Sequence, residues 1–260
     1  MTVSLAGKTI LITGASSGIG KATARACAAA GMDCVLTARR RKNLEKLQQE
    51  LGGSCKIIVG DITKKGFNQE LLNASGDLYA SFANAGHGIM QDSLNINMED
   101  VRALFELNFF STVELSSLVA KQFYKQNRGH ILVCSSCLSK FATANHGAYC
   151  ASKAALEAYI KAMRMELRST NIFISSVHPI GTRTEFFTSS AMRSGKVTNE
   201  LKSPEKMPLM QSPEKVAEAI VRCLKRPTPE VWTSKAMRLA SAMFSASPRL
   251  AEFIIPKFLN

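Results

Sequence analysis

Lys8-Thr9-Ile10-Leu11-Ile12-Thr13-Gly14-Ala15-Ser16-Ser17-Gly18-Ile19-Gly20 carries an apolar run straight into a glycine-rich turn. Lys8 to Thr13 reads as a strand, and the alanine-rich stretch to about Ala30 as a helix. A glycine turn between a strand and a helix is the context of a dinucleotide-binding fingerprint. Glycine allows the sharp turn and lets the backbone approach a pyrophosphate. The helix N-terminus then presents free N–H groups and the positive end of its dipole. Gly14, Ser16, Ser17, Gly18, Ile19 and Gly20 are therefore candidate cofactor residues. A glycine-rich turn without a ligand is the bland alternative, and the strand–turn–helix context weighs against it.

The rest of the chain repeats the alternation. Further strands are expected at Asp33–Ala38, Lys56–Gly60, Leu78–Ala83, His130–Ser135 and Ile172–His178, with a short last one at Val231-Trp232. Helices are expected at Asn43–Leu51, Glu99–Gln126, Tyr149–Arg168 and Pro213–Leu224. The strands are apolar throughout, which suits a parallel sheet buried on both faces. Strand–helix–strand repetition implies right-handed crossovers. The expected architecture is a doubly wound α/β Rossmann fold around a parallel sheet of about seven strands. Residues 1–260 read as one domain, since no linker divides them. Within it, 185–212 is long for a loop and reads as a substrate lid. Residues 235–260 read as an amphipathic C-terminal tail.

The chain has 260 residues, 46% of them hydrophobic, enough for one α/β domain with a large core. No run approaches the ~20 apolar residues a membrane helix needs, and the start lacks a signal-peptide pattern. Seven cysteines, an odd number set inside apparent helices and strands, suggest reduced thiols and a cytoplasmic location. Cys134-Ser135-Ser136-Cys137 has no second pair and no histidine at ligand spacing, so no metal is expected. The net charge of +13 raises nucleic-acid binding. The charges are mostly dispersed, with the tightest cluster at Arg39-Arg40-Arg41-Lys42, and no nucleic-acid motif accompanies them. A phosphate-bearing cofactor or another anionic partner accounts for them better.

A second stretch, Tyr149-Cys150-Ala151-Ser152-Lys153, sets a phenol and an ammonium four residues apart, on one face of a helix. A tyrosine with pKa ~10 is a poor base at neutral pH, and a nearby positive charge favours its phenolate. The turn and the pair together suggest hydride transfer coupled to proton transfer. Cofactor choice is written at the end of the second strand. An acid there would bind a ribose 2′-hydroxyl. The sequence reads Leu36-Thr37-Ala38-Arg39-Arg40, so Arg39 is expected to pair with a 2′-phosphate, assisted by Arg40. This selects NADP(H).

With these residues in view, the chain resembles the short-chain dehydrogenase/reductases in their common single-domain form, from Gly7 to about Trp232. The matching residues are Thr13-Gly14, Gly18, Gly20, Asp61-Ile62, Asn84-Ala85-Gly86, Asn108, Ser136, Tyr149, Lys153 and Pro179 through Thr184. The resemblance implies Tyr149 as general acid/base and Lys153 as holder of the nicotinamide ribose and depressor of the tyrosine pKa. It implies that Ser136 polarises the substrate carbonyl and that Asn108 supports a water chain to the lysine. Asp61 and Ile62 would meet the adenine, and Asn84, Ala85 and Gly86 would line the cofactor or steady the sheet. Pro179 and Thr182 belong to the segment that meets the carboxamide, with Ile180 and Thr184 as alternatives. The chain departs from the family pattern in two places. No glycine directly follows Pro179, and none follows Ser136 at the usual place. His87 and His146 lie beside these motifs as pocket or surface residues.

The expected function is NADP(H)-dependent interconversion of a carbonyl and an alcohol. A cofactor-binding scaffold with little turnover is the alternative. Phe186, Phe187, Met192, Met207, Leu209 and Met210 in the lid favour an apolar substrate. A homodimer or homotetramer through the two long helices is expected, with Phe105, Phe109, Leu115 and Leu118 placed either there or in the core. For the tail, packing on the lid or a subunit is favoured over contact with an anionic membrane surface.

Overall fold

The computed structural model describes residues 2–194 and 210–259. Seven parallel strands form one sheet: β1 (Thr9–Thr13), β2 (Asp33–Ala38), β3 (Cys55–Val59), β4 (Ala80–Ala83), β5 (Gly129–Cys134), β6 (Ile172–His178) and β7 (Glu230–Trp232). Their order is β3-β2-β1-β4-β5-β6-β7. The order reverses between β1 and β4, and ligand crevices open at such a switch point, beyond the strand C-termini.

Period-two alternation divides the core into two layers. Ile10 and Ile12 of β1 face a layer with α1 (Gly18–Ala29), α2 (Arg41–Leu51) and α8 (Pro213–Lys225). Leu11, between them, joins the opposite layer with α3 (Phe67–Ser75), α5 (Ser111–Gln126) and α6 (Gly147–Glu166). All three β1 side chains are fully buried, as strands covered on both faces require. Helix α3 has no counterpart among the expected elements. Its Phe67, Leu71 and Ser75 follow helical spacing between Gly66 and Gly76, a signal nine residues long and thus weak.

The expected helix Glu99–Gln126 is continuous but not regular. Helix α4 (Met98–Phe105) leads through a π turn, Glu106–Phe110, into α5. Two hydroxyls take up carbonyls loosened by the wide turn. Ser111 Oγ donates to Glu106 O at 2.7 Å and Thr112 Oγ1 to Leu107 O at 3.3 Å. By length and composition Met98–Gln126 is apolar enough to cross a membrane, contrary to the expectation from sequence. Here its inward face, with Leu115, Val119 and Phe123, is core. Phe105, Phe109 and Leu118 are half-buried.

Part of the expected lid is a helix, α7 (Phe186–Arg193), while Met207 and Leu209 lie outside the described residues. The tail forms α9 (Lys235–Ala246) and α10 (Pro248–Leu259). Helix α9 packs on β7 and on the 3-10 turn Cys137–Ser139 that follows Ser136. Phe244 meets Phe141 edge-on at 5.3 Å, and Ser245 Oγ donates to Lys140 O at 3.2 Å.

Candidate active site

The turn after β1 is held in shape by contacts across the switch point. Thr13 Oγ1 accepts from the amides of Asn84 and Ala85, each at 2.9 Å, and Asn84 Nδ2 donates to Thr13 O at 3.0 Å. Asn84 thus ties the end of β4 to the end of β1. Gly14 has φ +64°, and a Cβ there would lie 2.9 Å from Ala85 Cα. A Cβ on Gly20 would lie 2.5 Å from Gly14 O. Gly20 therefore serves the close packing of the turn on its helix, and it does not line the cleft.

A cleft of about 430 Å³ opens above this turn. It gathers the residues expected from sequence: Ser16, Ser17, Gly18 and Ile19 of the turn, Arg39 and Arg40 after β2, and Asp61 and Ile62 after β3. Ala85 and Gly86 lie after β4, Ser136 after β5, and Pro179 and Thr182 after β6. Tyr149 and Lys153 come from α6. Both alternatives to Thr182, Ile180 and Thr184, line it too, as do His87 and His146. Thr182 is already engaged: its Oγ1 donates to Ile180 O at 2.8 Å and accepts from Gln211 Nε2 at 3.2 Å.

The N-terminus of α1 fits an anion. Ser17 at the N-cap makes no side-chain cap, and the first turn carries no acid. The amides and the dipole there are left to a ligand. The two arginines diverge. Arg40 reaches over the turn, donating from Nη2 to Ser17 Oγ at 2.5 Å and from Nε to Ser16 Oγ at 3.2 Å. Its Nη1 meets Glu185 Oε2 at 2.6 Å. Arg39 stays exposed, 3.8 Å from Asp61 Oδ2. Burial raises the Asp61 pKa, but hydrogen bonds from Thr63 and the charges of Arg39 and Lys64 outweigh it, leaving the carboxyl below its usual range. These residues fit a dinucleotide laid along the strand ends.

On the opposite wall, Tyr149 and Lys153 are buried one helical turn apart. Lys153 Nζ donates to Cys134 O at 2.8 Å and lies 5.9 Å from the centre of the Tyr149 ring. Burial pushes the phenol up, with Ser136 pulling weakly the other way. Burial also lowers the Lys153 pKa. Ser136 caps the 3-10 turn, its Oγ accepting from Leu138 N at 3.1 Å.

Asn108 does not reach the cleft. Fully buried in the π turn, it accepts from His87 N at 3.0 Å and donates to His87 O at 2.9 Å and Ser152 Oγ at 3.3 Å. It thus fastens the segment after β4 to α6 just behind Lys153. The wider i→i+5 turn leaves its side chain free to bond outside its own helix. His87 itself is brought down to about 4 by burial, and then by the charges of Arg193, Arg39 and Lys153, so it is neutral near pH 7.

Leu138, Glu185, Phe186, Phe187 and Arg193 also line the cleft, beyond the residues named as site residues from sequence. Of these, only Phe186 and Phe187 gave a signal, as apolar lid residues.

Comparisons with known proteins agree with this geometry. The sequence pattern of the family described as short chain dehydrogenase matches residues 8–194. A dehydrogenase/reductase SDR family protein 7-like of Drosophila melanogaster is 29% identical over 97% of this chain and 81% of its own. An NADP-dependent 3-hydroxy acid dehydrogenase of Schizosaccharomyces pombe is 33% identical over 85% of this chain and 88% of its own. Among solved structures, a Sphingobium yanoikuyae short-chain dehydrogenase in complex with NADPH superposes with TM-score 0.80 at 25% identity, covering 95% of this chain and 96% of its own. A Burkholderia phymatum relative in complex with NAD shares the fold with TM-score 0.85 at 21% identity, covering 95% and 96%. Matched over most of its length by that pattern, and carrying the cleft the fold predicts, this chain belongs to the short-chain dehydrogenase family of oxidoreductases.

Proposed function

We propose that the protein is an NADP(H)-dependent oxidoreductase that reduces a largely apolar ketone or aldehyde to the alcohol, or runs the reverse reaction. One observation carries this reading. Ser136, Tyr149 and Lys153 converge in a cleft that also holds a helix N-terminus with no side-chain cap, flanked by two arginines. When bound, the nicotinamide supplies or takes the hydride. The chain's own residues do the rest. Tyr149 gives its phenolic proton to the carbonyl oxygen. Ser136 orients the carbonyl. Lys153, anchored on Cys134 O, presents its charge beneath the site.

The preference for NADP(H) is supported by Arg39 and Arg40 and by the lack of an acid at the end of β2. The NADP-dependent fission-yeast relative points the same way, as does the NADPH-bound structure. Leu138, Phe186 and Phe187 support an apolar substrate.

The test is NADPH oxidation against a panel of carbonyls. Tyr149→Phe is expected to lower kcat at least a hundredfold while NADPH binding, followed by fluorescence, stays within twofold. Near-normal turnover in that variant would remove Tyr149 from the mechanism. Reduction of small polar carbonyls alone would overturn the apolar substrate class.

A further inference from the structure

A buried ionic cluster lies behind Ser136, outside the cleft. His178, at the end of β6, is fully buried. Its Nδ1 lies 3.1 Å from the carbonyl oxygen of Ser136. A carbonyl only accepts, so Nδ1 carries the proton. That carbonyl also takes Ser139 N at 3.1 Å and Ser139 Oγ at 2.7 Å. Three donors therefore pin the peptide from which the Ser136 hydroxyl projects.

The other edge of the imidazole accepts from Ser176. His178 Nε2 is 3.0 Å from Ser176 Oγ and 3.5 Å from Glu157 Oε2. The Trp232 ring stacks on the imidazole, with centroids 4.4 Å apart and planes 9° apart. Glu157 is 3% exposed and lies on α6, four residues after Lys153 and eight after Tyr149, on the same helical face. Its Oε1 accepts from Lys140 Nζ at 3.1 Å, with Ser176 Oγ at 3.3 Å and Lys161 Nζ at 3.9 Å. Lys140 also donates to Glu230 Oε1 at 2.8 Å, and Trp232 Nε1 donates to Glu230 Oε2 at 2.8 Å. Glu157, His178 and Glu230 offer ligand atoms within 4.8 Å of one another, but the Lys140 ammonium already bridges the two carboxylates.

Such a cluster adds little stability over apolar packing of the same volume, while fixing one geometry. The geometry fixed here joins three pieces: the helix bearing Tyr149 and Lys153, the strand bearing His178, and the turn bearing Ser136. We infer that His178, bonded by Ser176 and backed by the Glu157–Lys140 pair, is a positioning residue that sets the Ser136 hydroxyl in register with the Tyr149 phenol. This inference rests on the carbonyl-reductase reading.

Two near-isosteric substitutions separate positioning from mere packing. Asparagine at 178 places an amide donor where Nδ1 stood, and glutamine places it where Nε2 stood. With a ketone that the wild type reduces, His178→Asn is expected to keep kcat within threefold. His178→Gln is expected to lose tenfold or more in kcat, with the dissociation constant for NADPH within twofold of wild type. In a Ser136→Ala background the difference between the two variants should vanish, because the group being positioned is gone. Equal kcat in the two variants would overturn the inference, as would a difference that survives in the Ser136→Ala background. Should His178→Gln not fold, Glu157→Gln serves in its place. It is expected to lower kcat three- to tenfold with NADPH binding kept, and an unchanged kcat would overturn the inference. A wild type that reduces no carbonyl in the panel overturns the reductase reading first, and this inference with it, before any variant is measured.

Discussion

Arg40 shows how one side chain both prepares and obstructs a site. Its guanidinium lies over the glycine turn, hydrogen-bonded to Ser16 and Ser17, at the strand end on which the proposed preference for NADP(H) rests. It is also paired with Glu185, at the foot of α7. A bound 2′-phosphate would compete with that carboxylate for the same fork of donors. Charge-assisted contacts are worth about 1.5–3 kcal/mol, or at least tenfold in affinity. Arg40→Ala is therefore expected to weaken NADPH binding tenfold or more and NADH binding much less. Glu185→Gln is expected to tighten NADPH a few-fold. Titrating both cofactors by fluorescence decides this, and equal losses for NADPH and NADH in Arg40→Ala would refute the assignment. The arginine pair was legible because the strand end announces itself in sequence. Glu185 was not, since it stands 145 positions from Arg40 and only the fold brings them together. The same holds for Glu157 and His178, whose partners come from three separate elements.

The parallel strands were the most legible elements, because continuous apolar runs between turns leave few other readings. Both Asp33–Ala38 and Ile172–His178 match the expected bounds. The π turn was not legible. Within it Asn108 bonds the backbone of His87, a contact 21 residues away that no local pattern signals. The tail's amphipathic pattern was visible, but not its seat. Helix α9 rests on β7 and on the turn after Ser136, and its Phe244 and Ser245 meet Phe141 and Lys140 just beyond that turn. Chains lacking residues 235–260 should therefore keep NADPH affinity but show a raised KM for apolar ketones, about threefold or more, as the support of that turn loosens. Steady-state kinetics measure both quantities, and an unchanged KM would detach the tail from the substrate side. The outer faces of α9 and α10 leave Leu239 and Phe253 each 65% exposed, so the truncation also removes apolar surface. On the two long helices, Phe110 and Tyr124 of the Met98–Gln126 helix and Met165 of α6 are exposed as well. We expect these faces to pair copies of the chain into a dimer or tetramer, and a monomer mass by light scattering at micromolar concentration would rule that out.

At the scale of the whole molecule, the sheet's burial on both faces sets how folding responds to acid. His130 of β5 is fully buried between the layers. Ser175 Oγ donates its proton to Thr228 O at 2.6 Å, so its contact with His130 Nε2 at 2.8 Å requires the proton to sit on Nε2. His130 Nδ1 is left without a hydrogen-bond partner, and burial brings the pKa down to about 3. The unfolded chain would titrate this residue near 6.5. Between those values the unfolded state binds a proton that the folded state does not. Stability is full above pH ~6.5 and falls as pH drops toward 3, by about 1.4 kcal/mol per pH unit from this one residue. His87, brought to about 4, adds to the same slope. Below the usual carboxyl range Glu230 adds further. Burial opposes its ionisation, but the hydrogen bonds from Lys140 and Trp232 hold it near 2, so protonating it also favours unfolding. Denaturant midpoints at pH 7.5, 6 and 5 should therefore fall steeply with acid. His130→Gln keeps a donor for Ser175 and has nothing to titrate, so its stability should decline with acid more gently by the equivalent of one proton. A variant whose curve runs parallel to wild type would show that His130 does not set the acid limit of this fold.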